Sequence, residues 1–196
     1  ASRVFAQSAF RFLRDGGAPG FLSAQIAGEW LDEIRDRISA SAQRMSAIPR
    51  DFAATLVGCV VGIDCAAFIH IGDGSVVYRL EGATNWIVAS WPEQGEYAAT
   101  TYFVTDDPEP RLRFSTMQGR IAELALFSDG IERLALDFSS QTAFAPFFDR
   151  MLFPLSGQSV GRDRPLARHL KEYLESPSVC DKTDDDKTLV LAKRVS

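Results

Sequence analysis

Two apolar segments that each carry aspartates at one tip constrain this chain more than any other feature. Ala125-Leu126-Phe127-Ser128-Asp129-Gly130-Ile131 runs three apolar residues into Ser-Asp-Gly. That is the pattern of a buried strand whose end delivers a carboxylate into the open. Near the C-terminus, Asp184-Asp185-Asp186-Lys187 stands directly before Thr188-Leu189-Val190-Leu191-Ala192, so a second strand carries its acids at its start. If the two strands are adjacent and antiparallel, the tips meet. Two carboxylates at one sheet edge suit a hard cation such as Mg²⁺ or Mn²⁺.

The rest of the chain supplies helices at both ends and strands between. Residues 2–15 read as a helix with Phe5, Ala9 and Leu13 on one face, stopped by Gly16-Gly17. Residues 23–46 read as a longer helix, with Ser23 as N-cap and Ile26, Trp30, Ile34 and Ile38 every four residues. Strands are expected over Phe52–Val61, Cys65–Ile71 and Val76–Leu80, the last two joined by a Gly72-Asp73-Gly74-Ser75 hairpin. A meander then continues through Asn85–Trp91, Tyr102–Thr105, an edge strand Leu112–Met117 and Ile121–Phe127. Helices are expected over Gln141–Leu155 and 163–176, and a last strand over Thr188–Val195. His70 reads as a core or edge histidine, and Asp73 is divided between a turn former and a residue near a cation. This order predicts an α+β fold, two antiparallel sheets packed face to face with helix pairs outside, in one domain over 1–196.

Composition narrows the function. At 196 residues and 46% hydrophobic the chain is long enough to bury a core. A net charge of −5 argues against general nucleic-acid affinity. Gly58, Gly62 and Asp64 break the longest apolar stretch, Phe52 to Ile71, so it is not a membrane span. Three cysteines without metal-type spacing (Cys59, Cys65, Cys180) predict reduced thiols in a cytoplasmic protein, and the N-terminus shows no signal-peptide pattern.

Four segments together resemble the PP2C-type metal-dependent protein serine/threonine phosphatases, in particular the compact bacterial branch. Ala53-Ala54-Thr55-Leu56 is similar to that family's Gly-Ser-Thr-Ala segment. Phe68 to Ser75, with Gly72-Asp73-Gly74, resembles its Gly-Asp-Ser/Gly hairpin. Leu124 to Ile131 resembles its Leu-Ser-Asp-Gly strand, and Asp185-Asp186-Lys187-Thr188 its terminal Asp-Asp/Asn-x-Thr motif. Trp91 to Phe103, with Gly95-Glu96-Tyr97-Ala98, also looks like a loop of the bacterial branch. The resemblance implies an αββα sandwich around a centre of two cations, Mg²⁺ or Mn²⁺, acting on phosphorylated proteins in signalling.

Carried over residue by residue, the resemblance makes Asp129 a metal ligand. It makes Asp185 another, three residues before Thr188, with Asp184 and Asp186 as neighbours that leave the register open. Asp73 matches a residue that helps hold a weaker third cation. That residue's usual partner lies four positions after the Ser-Asp-Gly aspartate, where this chain has Arg133. The family's first motif, Asp-Gly-x-Gly on a strand before the first long helix, has no counterpart here. By that layout it would precede Ala1 with the first strands, so this chain alone is expected to be weak or inactive. The implied chemistry uses a metal-activated water and no nucleophilic side chain. A non-catalytic phosphatase-like module that binds a protein partner is the alternative. Substrate contacts are sought in Pro92–Thr101 and Asp106–Gly119.

Overall fold

The structure, a computed structural model, describes residues 1–93 and 101–195. The chain divides into two compact units, residues 1–73 with 90–120 and residues 74–89 with 121–196. In the first unit, helix α1 (Ser2–Arg14) is followed by α2 (Ala24–Arg44), then by strands β1 (Leu56–Val61) and β2 (Cys65–Ile71). The caps explain where the helices end. Ser23 accepts a hydrogen bond from the Ile26 N–H, as an N-cap should. At the end of α1, Gly17 N–H bonds to Phe12 C=O and Gly16 N–H to Leu13 C=O, with Gly16 at φ +90°. That is the paired closure in which glycine takes the left-handed position. So Asp15-Gly16-Gly17 is a helix stop.

Helix α1 approaches the sheet closely because β1 offers a glycine. A Cβ at Gly58 would lie 2.6 Å from the Phe5 ring. Phe5 and Phe12 both meet Trp30 edge-on, at 5.7 and 5.8 Å between centroids. Trp30, Ile34, Ala27 and Leu31 bury with Leu56, Val60, Ile69 and Ile71 in one core. The four-residue spacing read from the sequence is therefore the face of α2 that covers the sheet.

The second unit is built on β3 (Ser75–Leu80), β4 (Ile87–Ser90), and, after β5 (Arg113–Gln118), β6 (Ile121–Phe127). Helix α3 (Asp129–Ala135) follows, then the two-residue strands β7 (Leu136–Asp137) and β8 (Thr142–Ala143), α4 (Ala145–Leu152), α5 (Arg164–Leu174), α6 (Pro177–Cys180) and β9 (Leu189–Lys193). The sheet orders are β1-β2-β5 in the first unit and β4-β3-β6-β9 in the second, with β2 antiparallel to β1 and β5, and β6 antiparallel to β3 and β9. Phe148, with no exposure, packs against Trp86, Phe127 and Phe147 with centroids 5.1–5.9 Å apart. The polar edge of this core is the Arg79 guanidinium, 4.6 Å over the Trp86 ring and paired with Glu123 and Asp149.

The α+β class and two antiparallel sheets, each with its own helices, are as the sequence predicts. Several details differ: β1 starts at Leu56 rather than Phe52, because Pro49–Phe52 forms a 3-10 turn. The Gly72–Ser75 turn is not a hairpin: β2 and β3 belong to different sheets, and Gly72 and Gly74, at φ +85° and +81°, carry the chain between them. The strands do not form a continuous meander, since β5 returns to pair with β2. Tyr102–Thr105 is not a strand; Val104 N–H bonds to Ala54 C=O, Arg35 Nη1 donates to Val104 C=O, and Phe103 N–H donates to Asp106 Oδ2. Helix α4 starts four residues later than expected. Asp137 accepts from Ser139 and Ser140 and holds a turn there, and Thr142–Ala143 pairs back on Leu136–Asp137.

Candidate metal centre

Strand β6 is buried along most of its length and ends at Phe127, opposite Leu189 at the start of β9. The antiparallel register thus sets the end of one strand beside the beginning of the other. Past this pair, Ser128 joins the two tips. Its hydroxyl donates to Asp186 C=O at 3.1 Å and accepts from Thr188 N–H at 3.0 Å, while its own N–H donates to Thr188 C=O at 3.1 Å. Gly130 completes the close approach. A Cβ there would lie 2.6 Å from the Asp186 carbonyl oxygen and 3.2 Å from that of Asp185. Only glycine lets α3 begin so near residues 185–186.

The structure therefore brings the Asp129 and Asp185 positions to one edge of one sheet. Both residues are exposed. Asp129 Oδ1 accepts from Gly130 N–H at 2.8 Å. The Asp185 backbone is tied down by Thr183 Oγ1 at its N–H and by Lys187 Nζ at its C=O. Arg133 lies on α3 and is exposed. Among the described residues no three His, Cys, Asp or Glu side chains gather into a complete metal cage. Two carboxylates still fit Mg²⁺ or Mn²⁺ in kind, because such cations keep several waters and take only one or two carboxylates from the protein.

Asp73 is the last residue of the first unit's opening segment and is half-buried. Beside it His70 is 1% exposed, the core one of the two positions, core or edge, expected for it. Its Nε2 donates to Asp73 C=O at 3.0 Å, and its Nδ1 lies 2.8 Å from Arg113 Nη2 and 2.7 Å from Ser90 Oγ. Burial, reinforced by the Arg113 charge, pushes its pKa down to about 4. Arg113 pairs with Glu93 at 3.2 Å, and Glu93 with Arg111 at 2.7 Å. In the second unit Glu132, buried on α3, accepts Gly74 N–H at 2.6 Å.

Glu132 and Arg113 are polar residues that sequence reasoning did not single out, and it read Ser128 and Glu93 only as parts of a strand end and of the loop Pro92–Thr101. The only signal for Arg113 is the alternation of Arg111, Arg113 and Ser115 on an edge strand, which gives their shared face but not the partner His70. The Glu96 and Tyr97 loop lies outside the described residues. Among the described residues no helix is long and apolar enough to cross a membrane.

Known proteins resemble this chain in sequence and in fold. The family model for protein phosphatase 2C matches residues 1–175, which include Asp73 and Asp129 and stop short of Asp185. Serine/threonine-protein phosphatase 3 of Escherichia coli (strain K12) is 38% identical over 178 residues, 90% of this chain and 69% of that protein. The catalytic domain of the serine/threonine protein phosphatase PstP, solved in complex with two manganese ions, has the same fold. Its TM-score is 0.56 at 16% identity, over 96% of this chain and 79% of that one. So does the serine/threonine phosphatase Stp1 from Staphylococcus aureus, with a TM-score of 0.55 at 14% identity over 100% and 79%. With a matching family model over most of its length and a relative this similar, the chain belongs to the protein phosphatase 2C family.

Proposed function

We propose that this chain removes phosphate from phosphoserine and phosphothreonine in proteins. In this reading residues 1–196 act as one phosphatase domain, with Asp129 and Asp185 as ligands of a divalent cation, Mg²⁺ or Mn²⁺. The observation that carries the reading is the pair of adjacent strand tips, latched through Ser128, that brings these two carboxylate positions together in a member of this family. When bound, such a cation acidifies a coordinated water and neutralises phosphate oxygens. Asp129 and Asp185 supply the hard oxygens that select such ions over softer ones. Ser128 and Gly130 fix the distance between the strand tips. Asp73, carried by the first unit, is a further carboxylate for a weaker cation. No nucleophilic side chain is required. The three free cysteines support a cytoplasmic setting.

The test is phosphate release from a phosphothreonine peptide, with Mn²⁺ and with a chelator, by the full-length protein and by its Asp129→Asn variant. Turnover should require Mn²⁺. It should fall by about a hundredfold or more in Asp129→Asn, since cation stabilisation of the transition state is worth several kcal/mol. Equal turnover by the variant, or turnover in the chelator, refutes the assignment.

A further inference from the structure

Asp73 sits in a turn whose two flanking peptide groups are each held. The peptide before it is fixed at the Gly72 carbonyl, which accepts from Glu93 N–H at 3.0 Å and has Arg113 Nη2 at 3.5 Å. The peptide after it is fixed at the Asp73 carbonyl, which accepts from His70 Nε2 at 3.0 Å. Peptide groups are planar, so holding both leaves the Asp73 backbone little freedom, and only its side-chain torsions remain to direct the carboxylate. The turn cannot slide either. Gly72 is at φ +85°, and a Cβ there would lie 2.4 Å from the Tyr102 carbonyl oxygen.

His70 can hold this pose only if its second nitrogen is satisfied, because the ring is buried. Arg113 Nη2 and Ser90 Oγ both reach Nδ1. A guanidinium only donates and a carbonyl only accepts, so the imidazole is neutral with its proton on Nε2. Arg113 is in turn set by Glu93. The support therefore closes on itself: Glu93 pairs with Arg113, Arg113 with His70, His70 with Asp73, and Glu93 returns to the turn through Gly72.

The Asp73 carboxylate, by contrast, accepts no hydrogen bond and joins no ion pair among the described residues. An aspartate that merely shapes a turn uses its carboxylate on its own backbone. Here the buried His70, with the half-buried Arg113 and Glu93 behind it, fixes the backbone and leaves the carboxylate for something else. We propose that Arg113, acting through His70, is a positioning residue that aims Asp73 at a divalent cation. The inference rests on the phosphatase reading above, in which Asp73 is a ligand of a weaker cation.

The experiment is calorimetric Mn²⁺ titration of the wild-type chain, Asp73→Asn, Arg113→Met, Arg113→Lys and the Asp73→Asn/Arg113→Met double variant, with thermal midpoints measured alongside. Asp73→Asn should remove a weak Mn²⁺ step. Arg113→Met should weaken that step by about tenfold, as residues supporting a metal ligand do, and should change nothing further in the Asp73→Asn background. Arg113→Lys, which keeps a donor for His70, should retain most of the affinity. If Arg113→Met does not fold, Ser90→Ala, which removes the other Nδ1 partner, should weaken the same step. A lower thermal midpoint in Arg113→Met with an unchanged isotherm overturns the proposal, as does an isotherm unaltered by Asp73→Asn. Asp129→Asn separates the two claims. If it abolishes a tighter Mn²⁺ step while Asp73→Asn changes nothing, this inference fails alone. If Asp129→Asn leaves every step intact, the underlying reading fails.

Discussion

Gly130→Ala is the substitution in which the steric argument for the site can be checked most sharply. The added Cβ would stand 2.6 Å from Asp186 O, 3.1 Å from Lys187 Cγ and 3.2 Å from Asp185 O. Carbon-to-oxygen contacts become ordinary at about 3.4 Å, so the backbone at 185–186 and the start of α3 must separate by about 0.8 Å. Lys187 can swing away, but the two carbonyls belong to a segment that Ser128 holds from the other side. The strain therefore falls on the distance between the strand tips carrying Asp129 and Asp185. A displacement near 1 Å can cost about a hundredfold in a positioned site, and loosened metal ligands lose about ten- to a hundredfold in affinity. Calorimetry with Mn²⁺ should show that loss, with a drop in stability of about 1–3 kcal/mol by urea unfolding. Gly28→Ala is the control. It lies inside α2 with nothing within 4 Å of its Cβ position. It should stabilise by about 0.5–1 kcal/mol and leave Mn²⁺ binding alone. Wild-type Mn²⁺ affinity in Gly130→Ala would refute the reasoning.

Three further outcomes follow from packing and charge. Phe148→Ala should cost about 3–5 kcal/mol in urea unfolding, because this ring has no exposure and touches Trp86, Phe127 and Phe147. Ser46, at φ +53° just beyond α2, occupies the left-handed closing position that glycine fills after α1, so Ser46→Gly should raise stability by about 1 kcal/mol. His70 gives a pH dependence. Its folded pKa, about 4, lies below its ordinary value, so between the two the unfolded chain binds more protons. Stability is thus intact above about pH 6.5 and falls as pH drops towards 4, by about 2–3 kcal/mol at pH 4.5. The groups facing the ring are Arg113, Ser90 and the Asp73 carbonyl, with Glu93 behind Arg113. The slope should vanish in His70→Gln when urea midpoints of the two proteins are compared across that range.

Much of this was legible because it depends on local periodicity. The Trp30 stripe of α2, the Gly16 stop, and strands β2 and β6 can all be read from residues in one short window. The meeting of the Asp129 and Asp185 tips was legible as a condition, since apolar strands with acids at opposite ends align only if antiparallel. The pairing itself is a long-range fact. What the sequence hid were contacts that join distant segments through single polar atoms: Ser128 to Asp186 and Thr188, Glu132 to Gly74, Arg113 to His70. The Asp73-Gly74 turn misled for a related reason. Asp-Gly favours positive φ wherever it stands, and that local preference serves a change of sheet as well as a hairpin. The late start of α4 follows from Asp137 side-chain bonds that compete with helix.

The most direct measurement is a Mn²⁺ titration of Asp184→Asn, Asp185→Asn and Asp186→Asn beside wild type and Asp129→Asn, with thermal midpoints as a check on folding. The account predicts that Asp129→Asn and Asp185→Asn each abolish the tight binding step, while Asp184→Asn and Asp186→Asn keep it. Wild-type binding by folded Asp185→Asn would contradict the claim that these two strand tips form the metal centre.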